Sequence, residues 1–189
     1  MTTQNAPASM YRTTEGLGLW EHRGKVAAVG VGHSPTARRW DGKPETSVGA
    51  WSILALRRAI EDAGVSPDQV DGLVLVPVTT TGAYWPEGSP VPMDVVNAFH
   101  PTSDPLDGIA KLSAEWIVKN MPELKNVTCT MYAPGCMSNA IVVAAQAVGD
   151  GLTHTCHVLK GWHNLEGRYY QGGANAEDTI LGTSALSRL

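Results

Sequence analysis

The chain has 189 residues, 43% of them hydrophobic and 17% charged, with a formal net charge of −4. That composition suits one sizeable core or two small ones and excludes a disordered chain. It also offers no electrostatic footprint for nucleic acid or an anionic membrane, since basic residues pair up only at Arg38 and Arg39 and at Arg57 and Arg58.

Residues 1–24 are polar and contain glycine, and they read as a flexible arm without the apolar centre of a secretion signal. Residues 25–32 (KVAAVGVG) predict a buried strand closed by a Gly-rich turn. A polar loop with Pro35 and Pro44 leads to Ser47, which caps a helix predicted over 47–64. Ile53, Leu56, Ile60 and Ala63 recur there at helical spacing, and Gly64 is a natural stop. After the turn at 65–71 comes the apolar strand 72–76, ended by Pro77. Strand, helix and strand in that order are the unit of a mostly parallel sheet.

Residues 79–101 are rich in Pro, Gly and Thr and form a long excursion. A second helix is predicted over 105–121, with Leu106, Ile109, Leu112, Trp116 and Ile117 on one face. A third strand follows at 127–131 and a third helix at 138–148. This last segment, SNAIVVAAQAV, is apolar on every side except Asn139 and Gln146, which calls for burial between layers. A fourth strand is expected at 155–159. The remainder, 161–189, is Gly- and Asn-rich, carries Trp162, Tyr169 and Tyr170, and shows no strong period. The expected fold class is therefore α/β, with a mostly parallel sheet and a buried helix. No apolar run approaches the roughly 18–20 residues needed to span a bilayer. Together with the thiols this reads as a soluble protein of a reducing compartment, with the cytoplasm as the expected location.

Three cysteines, Cys129, Cys136 and Cys156, without a Cys-x-x-Cys pair argue against a disulfide scaffold or a zinc ribbon. Gly30-Val31-Gly32 lacks the third glycine and the immediate helix of a dinucleotide turn, and reads as a tight turn. The sharper signal is Tyr132-Ala133-Pro134-Gly135-Cys136-Met137-Ser138-Asn139, between a strand and an apolar helix. A cysteine there faces unpaired backbone N–H groups and the positive end of the helix dipole, which stabilise a thiolate. The N–H groups of Met137 and Ser138 could also hold an oxyanion formed when that thiolate attacks a thioester. A small packing cysteine at a tight turn fits the same local sequence. Cys129 and Cys156 read as packing residues within strands. His163 follows a strand's carboxyl end, where α/β folds place ligands, so it is a candidate on the substrate side; a loop residue bonding local backbone is the alternative. His33 lies beyond the first strand in the same sense. His22, His100, His154 and His157 show no ligand spacing, and no metal site is expected.

The segments VAAVGVGHS, SVGAWSILALRRAIEDAGVSPDQVDGLVLV and CMSNAIVVAAQAVGDG, in this order, resemble the first half of a thiolase. The resemblance spans roughly residues 25–180 and is nearest to sterol-carrier-type thiolases and thiolase-like lipid-transfer proteins. Its most specific stretch is ALRRAIEDAGVSPDQVDGLVL. The resemblance implies a layered fold of two similar halves, of which residues 25–160 would form the amino-terminal α/β domain. Residues 161–189, beginning GWHNLEGRYYQGG, would open a loop domain that is cut short. It implies Cys136 as the nucleophile of an acyl-enzyme, with Asn139 standing where the family's Cys-x-Ser-Gly pattern has glycine. The activity implied is thiolytic cleavage or condensation of acyl-CoA, with the coenzyme A thioester as substrate and no permanently bound cofactor. The second half, which in the family carries the activating histidine and a proton-shuttling cysteine, would come from another chain. The lipid-transfer branch implies an alternative: retro-aldol cleavage of steroid or other side-chain acyl-CoA esters with a small OB-fold/zinc-ribbon partner. An inactive fragment acting only as an interaction module is the non-enzymatic alternative. A homodimer formed through the strand at 127–131 is also implied.

Overall fold

Ser47 and Gly64 fix the two ends of the first helix. The structure, a computed structural model, describes residues 20–37, 40–76, 98, 100, 102–104, 106–109, 111–133 and 136–161. Within them α1 runs Val48–Ala63. The Ser47 hydroxyl accepts the N–H of Ala50 at 3.1 Å, satisfying one of the donors a helix start leaves unpaired. Gly64 turns the chain out of the helix in the left-handed conformation, φ 65°, where a Cβ would be strained. Ile53, Leu56 and Ile60 share the buried face, and each contributes roughly 1.5–3 kcal/mol by leaving water.

A 3-10 turn at Pro67–Gln69, held by a capping box between Ser66 and Gln69, delivers the chain to β1, Gly72–Val76. All five residues of β1 are buried. The remaining elements are α2 (Ala114–Asn120), β2 (Cys129–Tyr132), α3 (Met137–Gly149) and β3 (Cys156–Lys160). The three strands form one sheet in the order β2-β1-β3, and β1 pairs in parallel with both neighbours, Gly72 lying opposite Cys129 on one side and Cys156 on the other. The α/β class with a parallel sheet is what the alternation of apolar runs and helical periods predicts.

Side chains alternate across β1. Leu73 and Leu75 join Ile53, Leu56, Trp116, Ile117 and Met121 in one core cluster. Val74 and Val76 pack on the other side with Ala140 and Ala144 of α3. Helices α1 and α2 thus cover one face of the sheet and α3 the other. Helix α3 buries Ala140, Ala144 and Ala147, while Ile141 and Val142 are 51% and 65% exposed. A helix apolar all round needs a layer on each side; among the described residues, only the sheet side is covered.

Two expectations are corrected. The strand expected at 25–32 is not in the sheet, which has three strands among the described residues rather than four. That segment lies against α1 instead. The space a Cβ would need at Gly30 or Gly32 is filled by the backbone of Ala55, Ala59 and Ala63. The N–H of Val31 donates to Asp62 at 2.9 Å, and Arg58 donates to the carbonyl of His33 at 2.6 Å. The helix expected over 105–121 is confined to Ala114–Asn120. Gly108, at φ 86°, reverses the chain, with its N–H bonded to the carbonyl of Lys111, and Ser113 caps a fresh helix by accepting the Trp116 N–H at 2.9 Å. Ile109 and Leu112 are buried as their spacing suggests, but in a turn. The loop expected at 79–101 and the tail beyond Gly161 lie outside the described residues, apart from residues 98 and 100.

Candidate functional site: the cysteine at the start of helix α3

At the carboxyl edge of the sheet, β2 ends in Tyr132 and the ladder extends one step further, the N–H of Ala133 donating to the carbonyl of Leu75 at 2.9 Å. Ala133 is buried, which anchors the turn that leads to α3. The phenol oxygen of Tyr132 accepts the N–H of Ala114 at 3.0 Å, tying the end of β2 to the start of α2. Behind it the carboxylate of Asp107, itself buried, accepts from the Ser113 N–H at 2.9 Å and the Thr102 hydroxyl at 2.8 Å. The carbonyl of Gly108 accepts the N–H of Gly49 at 2.9 Å, so the first turn of α1 joins the same edge. Neither Tyr132 nor Asp107 stands out as a fixing residue in the sequence, because their partners lie 18 and 5 or 6 positions away in no regular spacing.

Cys136 is the N-cap residue of α3, in extended conformation, and its side chain is exposed. Its Sγ lies 2.7 Å from the Ser138 hydroxyl. That hydroxyl, followed by the backbone N–H of Asn139, holds the Cys136 thiol below its ordinary value. Met137 and Ser138 are the first two residues of the helix, so their N–H groups have no intrahelical acceptor. An anion formed next to Sγ would meet both of these donors and the positive end of the helix. Met137 is 37% exposed, and the site is open to solvent. Of the residues singled out in the sequence, the structure places Cys136, Met137 and Ser138 together, while the His33 carbonyl is bonded by Arg58 of α1. His163 lies outside the described residues.

The other two cysteines behave as packing residues. They flank Gly72 from strands on either side of β1, and two strand spacings of about 4.8 Å each put them beyond disulfide reach. Burial first, then the neighbouring Cys129 and Asp71, pushes the Cys156 thiol up to about 12. A thiol held there stays protonated and unreactive at neutral pH. Burial likewise pushes His157 down to about 4, leaving a neutral ring within β3. His154 sits at the amino edge of the sheet, its ring 3.0 Å from Asp71. His22 lies at the far end of α3, its ring 2.8 Å from Asp150; a 13-residue helix puts it roughly 20 Å from Cys136.

Two solved structures are similar to the chain. One, described as "Ltp2-ChsH2(DUF35) aldolase", has a TM-score of 0.46 and 19% identity over 82% of this chain and 31% of that one. The other, a priming beta-ketosynthase from the R1128 polyketide biosynthetic pathway, has a TM-score of 0.40 and 17% identity over 70% of this chain and 40% of that one. The chain thus spans between about a third and two fifths of the chains it is similar to. No protein-family model and no curated protein matches the sequence. Among the described residues, no helix is long and apolar enough to cross a membrane.

Proposed function

We propose that the chain carries the nucleophile of an acyl-CoA-dependent acyltransferase of the thiolase class. The carrying observation is the exposed Cys136 at the N-terminus of α3, with the Ser138 hydroxyl on its sulfur and its thiol pulled below the ordinary value. In this reading the Cys136 thiolate attacks the carbonyl carbon of an acyl-CoA. The carbonyl oxygen takes up the negative charge beside the N–H groups of Met137 and Ser138. Collapse of the tetrahedral species breaks the bond to the coenzyme A sulfur, which leaves as a thiolate and picks up a proton from water. The acyl group remains on Cys136 as a thioester. No permanently bound cofactor is needed for this step.

Support for the acyl-CoA class comes from the sequence resemblance to the first half of a thiolase, and the geometry at Cys136 supplies the chemistry. Turnover then needs a base and an acid for the second half-reaction. A companion polypeptide is the proposed source of both, and His163 is proposed to face the substrate from the tail. Self-association into a homodimer belongs to the same reading.

Incubation with acetyl-CoA or a longer acyl-CoA followed by intact-mass measurement tests the nucleophile. The expected result is a single acyl adduct that peptide mapping places on Cys136 and that Cys136→Ala abolishes. Unchanged labelling of Cys136→Ala would overturn the assignment. Carbon–carbon cleavage of a β-hydroxyacyl-CoA that survives Cys136→Ala would instead identify the retro-aldol chemistry, for which the cysteine is dispensable.

A further inference from the structure

At the opposite end of α3 the chain brings together three ligating side chains that are far apart in sequence. Residues 21–25 form a turn, and His22 from this turn packs on the last residues of the helix. His22 Nε2 is 2.8 Å from an Asp150 carboxylate oxygen and 3.5 Å from a Glu21 carboxylate oxygen. One donor atom from each of the three residues lies within 4.8 Å of the other two. Tetrahedral ligands about 2.0–2.1 Å from a zinc ion sit roughly 3.3 Å from one another, so small movements bring all three onto a single ion.

What surrounds these ligands holds them in place. The His22 side chain is only 12% exposed. Its ring meets Trp20 edge-on at 5.5 Å and lies where a side chain at position 149 would go, which Gly149 leaves free. The Asp150 carboxylate is oriented by Gln146, whose amide N–H group donates to its two oxygens at 2.9 and 3.0 Å. Gln146 is held in turn by the Trp20 indole N–H at 2.7 Å. Partners that orient the ligands in this way are characteristic of built metal sites. The carbonyl end of the helix adds negative potential. One imidazole and two carboxylates carry two negative charges, which suits a divalent ion of intermediate softness, with water completing the coordination.

We propose that Glu21, His22 and Asp150 bind a divalent transition-metal ion, Zn2+ in the first instance, which clamps the 21–25 turn onto the end of α3. The site is independent of the acyl-transfer reading and stands at the other end of the same helix. The clamp role follows from where the ligands come from: Glu21 and His22 belong to the turn, and Asp150 to the end of α3.

Titration of the full chain with Zn2+ by calorimetry, paired with Co2+ absorption spectra, tests this. The expected result is one tight site whose Co2+ spectrum is four- or five-coordinate. His22→Gln and Asp150→Asn should each weaken binding by at least tenfold, and Gln146→Ala by roughly tenfold through lost orientation of Asp150. Glu21→Gln should weaken it least, because Glu21 is 76% exposed. Zn2+ should raise the melting temperature of the parent chain but not of His22→Gln. Far-UV circular dichroism verifies that the variants fold, and because Gln146→Ala removes no ligand it tests the site even if a ligand variant fails to fold. Absence of tight binding by the parent chain, or binding unchanged in both His22→Gln and Asp150→Asn, would overturn the proposal.

Discussion

At the scale of single residues, the lowered thiol of Cys136 rests on a neighbour two positions away. The Ser138 hydroxyl is the larger influence on the thiol and the Asn139 N–H the next, both acting on an exposed sulfur at the start of a helix. In Ser138→Ala the hydroxyl is lost and the helix end stays. The pH midpoint of iodoacetamide alkylation should then move up towards that of an ordinary thiol, with slower labelling at neutral pH. An unmoved midpoint would show that the backbone N–H groups suffice. In the native chain Cys156 should label far more slowly than Cys136, because its thiol is held at about 12. Under the proposed reaction the Ser138 hydroxyl would tune the thiol, while the Ser138 backbone N–H would be one of the two donors beside the oxyanion.

At the scale of elements, Asp71 ties the beginnings of all three strands together. Its carbonyl accepts the N–H groups of Thr128 and Cys129 at 3.0 and 3.2 Å, on the side of β2. Its carboxylate accepts the Thr153 hydroxyl and the N–H groups of His154 and Thr155, the last at 2.9 Å, on the side of β3. Burial alone would raise this carboxyl, but the hydrogen bonds from Thr153, Thr155 and His154 outweigh it and hold the group well below the usual range. Asp71→Ala leaves those donors without a charged acceptor and should cost about 2–4 kcal/mol in urea unfolding. A carboxyl lowered on folding stabilises above its unfolded value, and that contribution disappears as pH falls through the folded one. The stability gap between the parent chain and Asp71→Asn should therefore be full at neutral pH and narrow below roughly pH 4. A gap that stays constant down to pH 2 would exclude the ionised carboxylate as its source.

Above the level of single elements, the notable feature is the side of α3 left open among the described residues. Ile141 and Val142 are exposed there, and Met137, one turn earlier on the same helix, is 37% exposed. Neighbouring apolar side chains in water bind hydrophobic dyes and partner surfaces. The native chain should therefore enhance the fluorescence of anilinonaphthalene sulfonate, and Ile141→Lys with Val142→Lys should cut that enhancement by roughly half or more. An unaltered signal in the double variant would place the dye elsewhere. The same face is where a second layer would sit under the proposed thiolase-class reading. The variant should then also lose association with a companion half while keeping its own melting temperature.

Local rules are enough to derive α1, because Ser47, Gly64 and the spacing of Ile53, Leu56 and Ile60 lie within one helix length and act through the nearest turn. They are also enough for β1, whose apolar run admits only a buried strand, and for the position of Cys136 ahead of an apolar helix. The segment at 25–32 and the stretch before α2 read differently in the fold for a shared reason. Their apolar patterns do favour burial, but which surface receives them is decided by residues distant in sequence. Asp62 and Arg58 draw the first segment onto α1, and the N–H of Gly49, bonded to the Gly108 carbonyl, fixes the reversal that splits the second. Tyr132 and the meeting of Glu21 and His22 with Asp150 were illegible for the same reason, and Asp107 because its partners, 5 and 6 positions away, follow no regular spacing. The sequence by itself determined the α/β class and the place of Cys136 at the start of α3. Tertiary structure alone decided which strands pair and which side chains meet at the end of α3, because Gly72 stands 57 and 84 positions from its strand partners and His22 stands 128 from Asp150.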